Sequence, residues 1–467
     1  MFSGLGRRAE VPLVHDPRLR QSTTIVALLV LCACSGAFGS SRSPGGLPSS
    51  GLPAFLPLAN RPRNHKIQHV VIIIQENRSV DNLFRGFPGA DTVPYGFDKK
   101  GQKIVLKQVG LEARWDFDHS SSSFFAACDG RGSLPGTDCK MDGFNGEPVR
   151  CAPKCPGANP AYSYVPHDET RPYFFIGDHY VFADNMFPSN FDSSSFVSHQ
   201  YIIAAQASST VNFPIGPWGC EGGGRIPTVT QRRTIGPDIS PCLNNKTLGD
   251  ELDDAGISWR YYTSYVEAGG GIWSAYQAIK HIYEGPDWHK DIVTPQTKFF
   301  RDVSAGDLSV VSWVTPTCVN SDHSGCGGKT GPDWVGSLVN AIGESKYWDS
   351  TVIFVFWDDY GGWYDHVPPL MKSYDGLGIR VPLLIVSAYA KQGYVSQVHY
   401  EHGSILKFIE DQWGLARLSA SDARANKISP ECFDFMKPPR PFTKIPVAHD
   451  PDYFLAQPLD TQPPDTE

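Results

Sequence analysis

Four oxygen-donor side chains stand in two adjacent pairs far apart in the chain, Glu76-Asn77 and Asp358-Asp359. Three carboxylates and one amide oxygen form a hard ligand set, suited to a single divalent cation. Like charges this close repel one another unless something positive lies between them, so the pairs point to a metal centre. Ca²⁺, Mg²⁺ and Mn²⁺ suit such oxygens best, and Zn²⁺ or Fe is not excluded. A third candidate is the run Ser193-Ser194-Ser195, followed by Phe196-Val197, His199 and Tyr201-Ile202-Ile203-Ala204-Ala205, which reads as a helix with one apolar face. A hydroxyl at a helix start lies among unpaired N–H groups and the positive end of the dipole, a good place for phosphate. The plainer alternatives are solvated turn residues for the acidic pairs and simple helix caps for the serines.

Both acidic pairs need strands to present them. Val70-Val71-Ile72-Ile73-Ile74 leads to Glu76, and Thr351-Val352-Ile353-Phe354-Val355-Phe356-Trp357 leads to Asp358. Unbroken β-branched and aromatic runs read as strands buried on both faces, the habit of central parallel strands. In open α/β sheets, ligands sit beyond the carboxyl ends of such strands, where both pairs stand. Ser79 is suited to cap a helix after the first pair.

The stretches Glu76-Asn77-Arg78-Ser79-Val80-Asp81-Asn82-Leu83-Phe84 and Trp357-Asp358-Asp359-Tyr360-Gly361-Gly362-Trp363-Tyr364-Asp365-His366-Val367-Pro368-Pro369 resemble the signatures of the phosphoesterase family of bacterial non-specific phospholipases C and related acid phosphatases. Met141-Asp142-Gly143-Phe144, Gly376 to Ser387 and Glu401 to Glu410 extend the resemblance, in the family's order, over residues 65 to 435. It implies an alkaline-phosphatase-like three-layer α/β/α fold with a mostly parallel central sheet. It also implies a Ser or Thr nucleophile at the helix start. The family's usual Gly-Pro before it is Ser193-Ser194 here, and Ser195 gives the better alignment with Phe196, His199, Gln200 and Tyr201. Two loop histidines, His119 and His323, match positions that face the phosphate in the family. His366 lies in a shared motif, with a direct and a supporting role equally open.

The expected chemistry is therefore attack by Ser195 on phosphorus, with Glu76, Asn77, Asp358 and Asp359 around one cation. Three readings compete: a phospholipase C acting on phospholipid diesters, an acid phosphatase acting on small monoesters, and an inactive surface-binding protein on the same fold. The catalytic motifs are common to the first two. A net charge of −8 and the lack of a long basic run argue against a nucleic-acid partner.

Residues 1–39 read as an export signal, with Arg18 and Arg20 ahead of the apolar run Ile25 to Leu31. Leu31-Cys32-Ala33-Cys34 resembles a lipobox, which would tether the protein to a membrane through lipidated Cys34. Cleavage near Ala37 or Gly39 is the alternative. Periplasmic, extracellular and lipid-anchored locations all follow from export. Residues 40–64 are rich in Ser, Pro and Gly and read as a flexible tether, 65–447 as a single catalytic domain, and 448–467 as a disordered tail. Nine further cysteines lie mostly in loops. Pairing of nearest neighbours from Cys128 to Cys326 is the simplest arrangement, leaving Cys432 over. Residues 93 to 170 read as a loop-rich insertion bordering the site.

Overall fold

The computed structural model describes residues 62–460, apart from 152–154, 193, 265–270 and 429. The signal segment, Cys34 and residues 40–61 of the expected tether lie outside this range. Its last residues are held rather than loose, since the Arg63 N–H donates to the Gln412 carbonyl at 2.7 Å.

Nine strands make the central sheet: β1 (His69–Gln75), β2 (Val181–Phe187), β3 (Trp259–Tyr262), β4 (Ile292–Val293), β5 (Val311–Val314), β6 (Thr351–Trp357), β7 (Val381–Ser387), β8 (Tyr394–Ser396) and β9 (Tyr400–Glu401). Their order is β4-β3-β5-β1-β6-β7-β2-β8, with β9 also on β2. Pairing is parallel except at β7, which runs antiparallel to both β6 and β2. Val70 to Ile74 and Val352 to Val355 are wholly buried, as the unbroken apolar runs require.

Seven helices matter for the site and its frame: α1 (Val80–Leu83), α2 (Ser121–Cys128), α3 (Arg171–His179), α4 (Ser195–Ala204), α5 (Gly331–Gly343), α6 (His402–Trp413) and α7 (Pro451–Leu455). One group packs α5 against α3 and α7, and another packs α4 against α6. Helices therefore cover a buried, mostly parallel sheet, the three-layer α/β/α arrangement that the family resemblance implies.

Register fixes the site. Gln75 and Trp357 are direct partners across β1 and β6, so the next residues, Glu76 and Asp358, leave the sheet side by side. The Asp358 N–H donates to the Gln75 carbonyl at 3.0 Å and carries the pairing one step further.

Four disulfides close local loops, Cys128–Cys139, Cys151–Cys155, Cys220–Cys242 and Cys318–Cys326, and buried Cys432 is a free thiol. Two expectations need correction. Helix α4 is buried on every side rather than on one apolar face: Ser195 and His199 turn toward the acidic pairs, and Gln200 Nε2 donates to the Ala275 carbonyl at 2.9 Å. Residues 448–460 of the expected disordered tail are ordered: Asp450 caps α7, Phe454 is buried, and the His449 carbonyl accepts from Ser337 Oγ at 2.7 Å. One buried aromatic ring in a five-residue helix is too little periodicity to read from sequence.

Candidate active site

Asn77 sits at φ 60°, in the left-handed region that Asn tolerates better than most residues. This turn aims the Asn77 N–H at Asp358 Oδ1, 3.0 Å away. The Asp359 N–H donates to the same oxygen at 2.8 Å, and the Gly361 N–H donates to Asp359 Oδ1 at 2.7 Å. One oxygen of each aspartate is thus held by backbone donors, and the other is turned inward. The two glycines of the second motif allow this approach. A Cβ on Gly361 would lie 2.4 Å from the Asn77 carbonyl oxygen, and one on Gly362 would lie 2.4 Å from Phe117 Cβ.

The inward oxygens fall into two neighbouring groups. Glu76 Oε1 lies 3.0 Å and Asp358 Oδ2 3.7 Å from His199 Nε2, and ligand atoms of these three residues lie within 4.8 Å of one another. Asp358 Oδ2 is buried and has no hydrogen-bond partner among the described residues. Buried carboxylates with such an oxygen fit a divalent cation, and Glu76, His199 and Asp358 could hold it. His402 does not offset their charge: burial pushes its imidazole down to about 4, so it is neutral near pH 7.

The second group surrounds the serine. Ser195, the first residue of α4, has Oγ 3.3 Å from Asn77 Oδ1 and 3.3 Å from Asp359 Oδ2. Ser194 is the N-cap residue, yet its buried Oγ makes no capping bond and has no partner among the described residues. Ser193 lies outside the described residues. The four expected metal ligands therefore divide, Glu76 and Asp358 gathering with His199, and Asn77 and Asp359 gathering around Ser195 Oγ.

His119 belongs to this second group. Its Nδ1–H donates to the Phe117 carbonyl at 2.9 Å, so Nε2 accepts from Asn77 Nδ2–H at 3.0 Å. Asn77 is left with its Oδ1 toward Ser195, and His119 fixes that orientation. His323 has its ring centre 6.3 Å from that of His119, with Nδ1–H on the Ser324 carbonyl. Its loop is stapled by Cys318–Cys326 and anchored by buried Asp322. The Asp322 carboxylate accepts from Tyr173 Oη at 2.7 Å and Trp357 Nε1 at 2.9 Å, and burial raises it to about 6. Arg78 Nε donates to the Asp322 carbonyl at 2.7 Å and ties the loop to the residues after β1.

His366 is placed differently. Its Nδ1 lies 2.7 Å from Asp81 Oδ2 and its Nε2 3.1 Å from Asp91 Oδ1, in a network that includes Asp365 and Arg380. None of its hydrogen bonds among the described residues reaches Ser195 or the acidic pairs.

His199 is the candidate ligand that sequence reasoning passed over. It lies one helical turn beyond Ser195, on the same face, and that i, i+4 spacing was the available signal. A cavity of about 390 Å³ adjoins the site, with His119 and Ser194 in its wall.

Residues 67–416 match the model of the Phosphoesterase family. The chain belongs to this family. It is 23% identical to the non-hemolytic phospholipase C of Pseudomonas aeruginosa, over 90% of this chain and 65% of that protein. The chain thus spans somewhat less than two thirds of that relative's length. It is 24% identical to phospholipase C B of Mycobacterium tuberculosis, over 80% of this chain and 79% of the relative. It is 23% identical to non-specific phospholipase C1 of Arabidopsis thaliana, over 74% and 67%. Among solved structures, a protein of the alkaline phosphatase superfamily from Vibrio parahaemolyticus covers 80% of this chain, with 75% of that chain matched, at 12% identity and a TM-score of 0.37.

Proposed function

We propose that the protein is an exported, metal-dependent phosphoric ester hydrolase that cleaves phospholipid diesters in the manner of a phospholipase C, with Ser195 as nucleophile. The observation that carries this reading is Ser195 Oγ, 3.3 Å from both Asn77 Oδ1 and Asp359 Oδ2 and beside the Glu76, His199 and Asp358 cluster. The phospholipase C relatives supply the substrate class, and four disulfides support export to an oxidising compartment. A membrane tether through Cys34 would bring the site to its substrate.

A cation held by Glu76, Asp358 and His199, with Asn77 and Asp359 near it, would lower the pKa of the serine hydroxyl and polarise a phosphoryl oxygen. Asn77, held by His119, and Asp359 orient the Oγ–H, and Asp359 Oδ2 takes its proton as Oγ attacks. The Oγ–P bond forms, the P–O bond to the alcohol breaks, and water later cleaves the phosphoserine ester. His323 has Nδ1–H engaged by Ser324, and when protonated it donates from Nε2 to the departing alkoxide.

A substrate panel on the purified protein with divalent ions present tests this. Phosphatidylcholine should yield diacylglycerol and phosphorylcholine, faster than p-nitrophenyl phosphate yields phosphate. Cleavage of the monoester alone would make the protein a phosphatase, and cleavage of neither would leave a binding protein.

A further inference from the structure

The cavity beside His119 and Ser194 has an uneven lining. Phe213, Pro214, Ile215 and Pro227 form an apolar wall, and Asp118 and Arg150 stand among its polar residues. Those two charges lie 4.0 Å apart, so each offsets the other. Asp118 Oδ1 also accepts from the Ser120 N–H at 3.0 Å and from Ser123 Oγ at 3.1 Å. A neutral alkyl group entering along the apolar wall would bury apolar surface at once.

The wall is fixed to the catalytic turns. The Asn212 N–H donates to Asp192 Oδ2 at 2.8 Å, just ahead of Ser195, and Asn212 Oδ1 accepts from the Ser121 N–H at 2.9 Å, just after His119. The Ile215 N–H donates to the Arg225 carbonyl at 2.7 Å, and Cys220–Cys242 closes the loop beyond. Ile215 is 53% exposed and lines the cavity beside Phe213 and Pro214.

We propose that this groove seats the neutral, acyl-bearing alcohol end of the phosphoester, and that Ile215 and Phe213 set how strongly chain length is rewarded. The proposal rests on the phosphodiesterase reading for the identity of that alcohol, a diacylglycerol. A volume of about 390 Å³ takes the glycerol and the first methylenes rather than whole acyl chains. Each methylene that enters should raise kcat/KM about two- to fourfold until the groove is full.

The test uses the full chain and glycerophosphocholine, dibutyryl- and dihexanoyl-phosphatidylcholine, all below their micelle concentrations. The wild type should show kcat/KM rising with chain length. Ile215→Ser should flatten that rise, while Ile215→Leu should keep it. Because the Ile215 backbone holds the bridge and the side chain is at the surface, neither change disturbs the fold. A wild-type slope in Ile215→Ser would overturn the proposal. So would a variant that instead alters choline-over-ethanolamine preference at fixed chain length, since the groove would then hold the head group. Should the wild type cleave no diester but cleave alkyl phosphates, the diester reading fails while the groove is still decided, by the slope from butyl to octyl phosphate in the same variants.

Discussion

His199 shows how much of the site depends on single atoms. Its Nε2 is 3.0 Å from Glu76 Oε1, and with Glu76 and Asp358 it forms a cluster with metal-binding spacing. His199→Asn should weaken divalent-ion binding by about a hundredfold or more, read by competition with a chelating dye and independent of turnover. Unchanged affinity would place the ion elsewhere, around Asn77 and Asp359. His366 allows a different test. Burial alone would lower its pKa, but hydrogen-bonded Asp81, with Asp365 nearby, raises it to about 9. Its folded value thus lies above the ordinary 6.5. The stabilisation is full below pH 6.5, falls as pH rises toward 9, and is lost beyond it. In wild type Tm should therefore decline across this window, and His366→Gln should flatten the decline. An equally steep decline in the variant would assign it to other groups.

At the scale of elements, the site is made by two strand ends and one helix start that close on each other. Gly361 is a tight point of this closure, with φ 59° and no room for a Cβ beside Asn77. Gly361→Ala should cost about 2–4 kcal/mol from left-handed strain and the clash. It should also lower activity, because relief of the clash moves the Asn77 turn. Denaturant unfolding measures the first effect, and a variant as stable as wild type would contradict it. Much of this level was legible in the sequence. Thr351 to Trp357 read as a strand and forms one with those bounds. Other parts were not. The insertion from 93 to 170 contains α2, whose run of serines before two phenylalanines carries no helical period. The burial of α4 on all sides was hidden because Ser195, His199 and Gln200 look solvent-facing until the strands they meet are known.

For the whole molecule, the sheet order explains why residues so distant in sequence meet. β1 and β6 are neighbours, so residues 76–77 and 358–359 share one end of the sheet, and α4 arrives there after β2. The two motif pairs mark this meeting point in the sequence itself. The division of the ligands did not show, since composition cannot tell which oxygen of a carboxylate its backbone has already engaged. Ser195 stands at the junction of the two groups, and its role as nucleophile is the claim on which the rest depends. The most direct measurement is to mix the full-length protein with substrate, quench in acid within milliseconds, and locate any added phosphoryl group by peptide mass spectrometry. A phosphoryl or phosphorylcholine adduct on Ser195, absent in Ser195→Ala and present in Ser194→Ala, is the expected result. An adduct on Ser194, or undiminished turnover by Ser195→Ala, would contradict it.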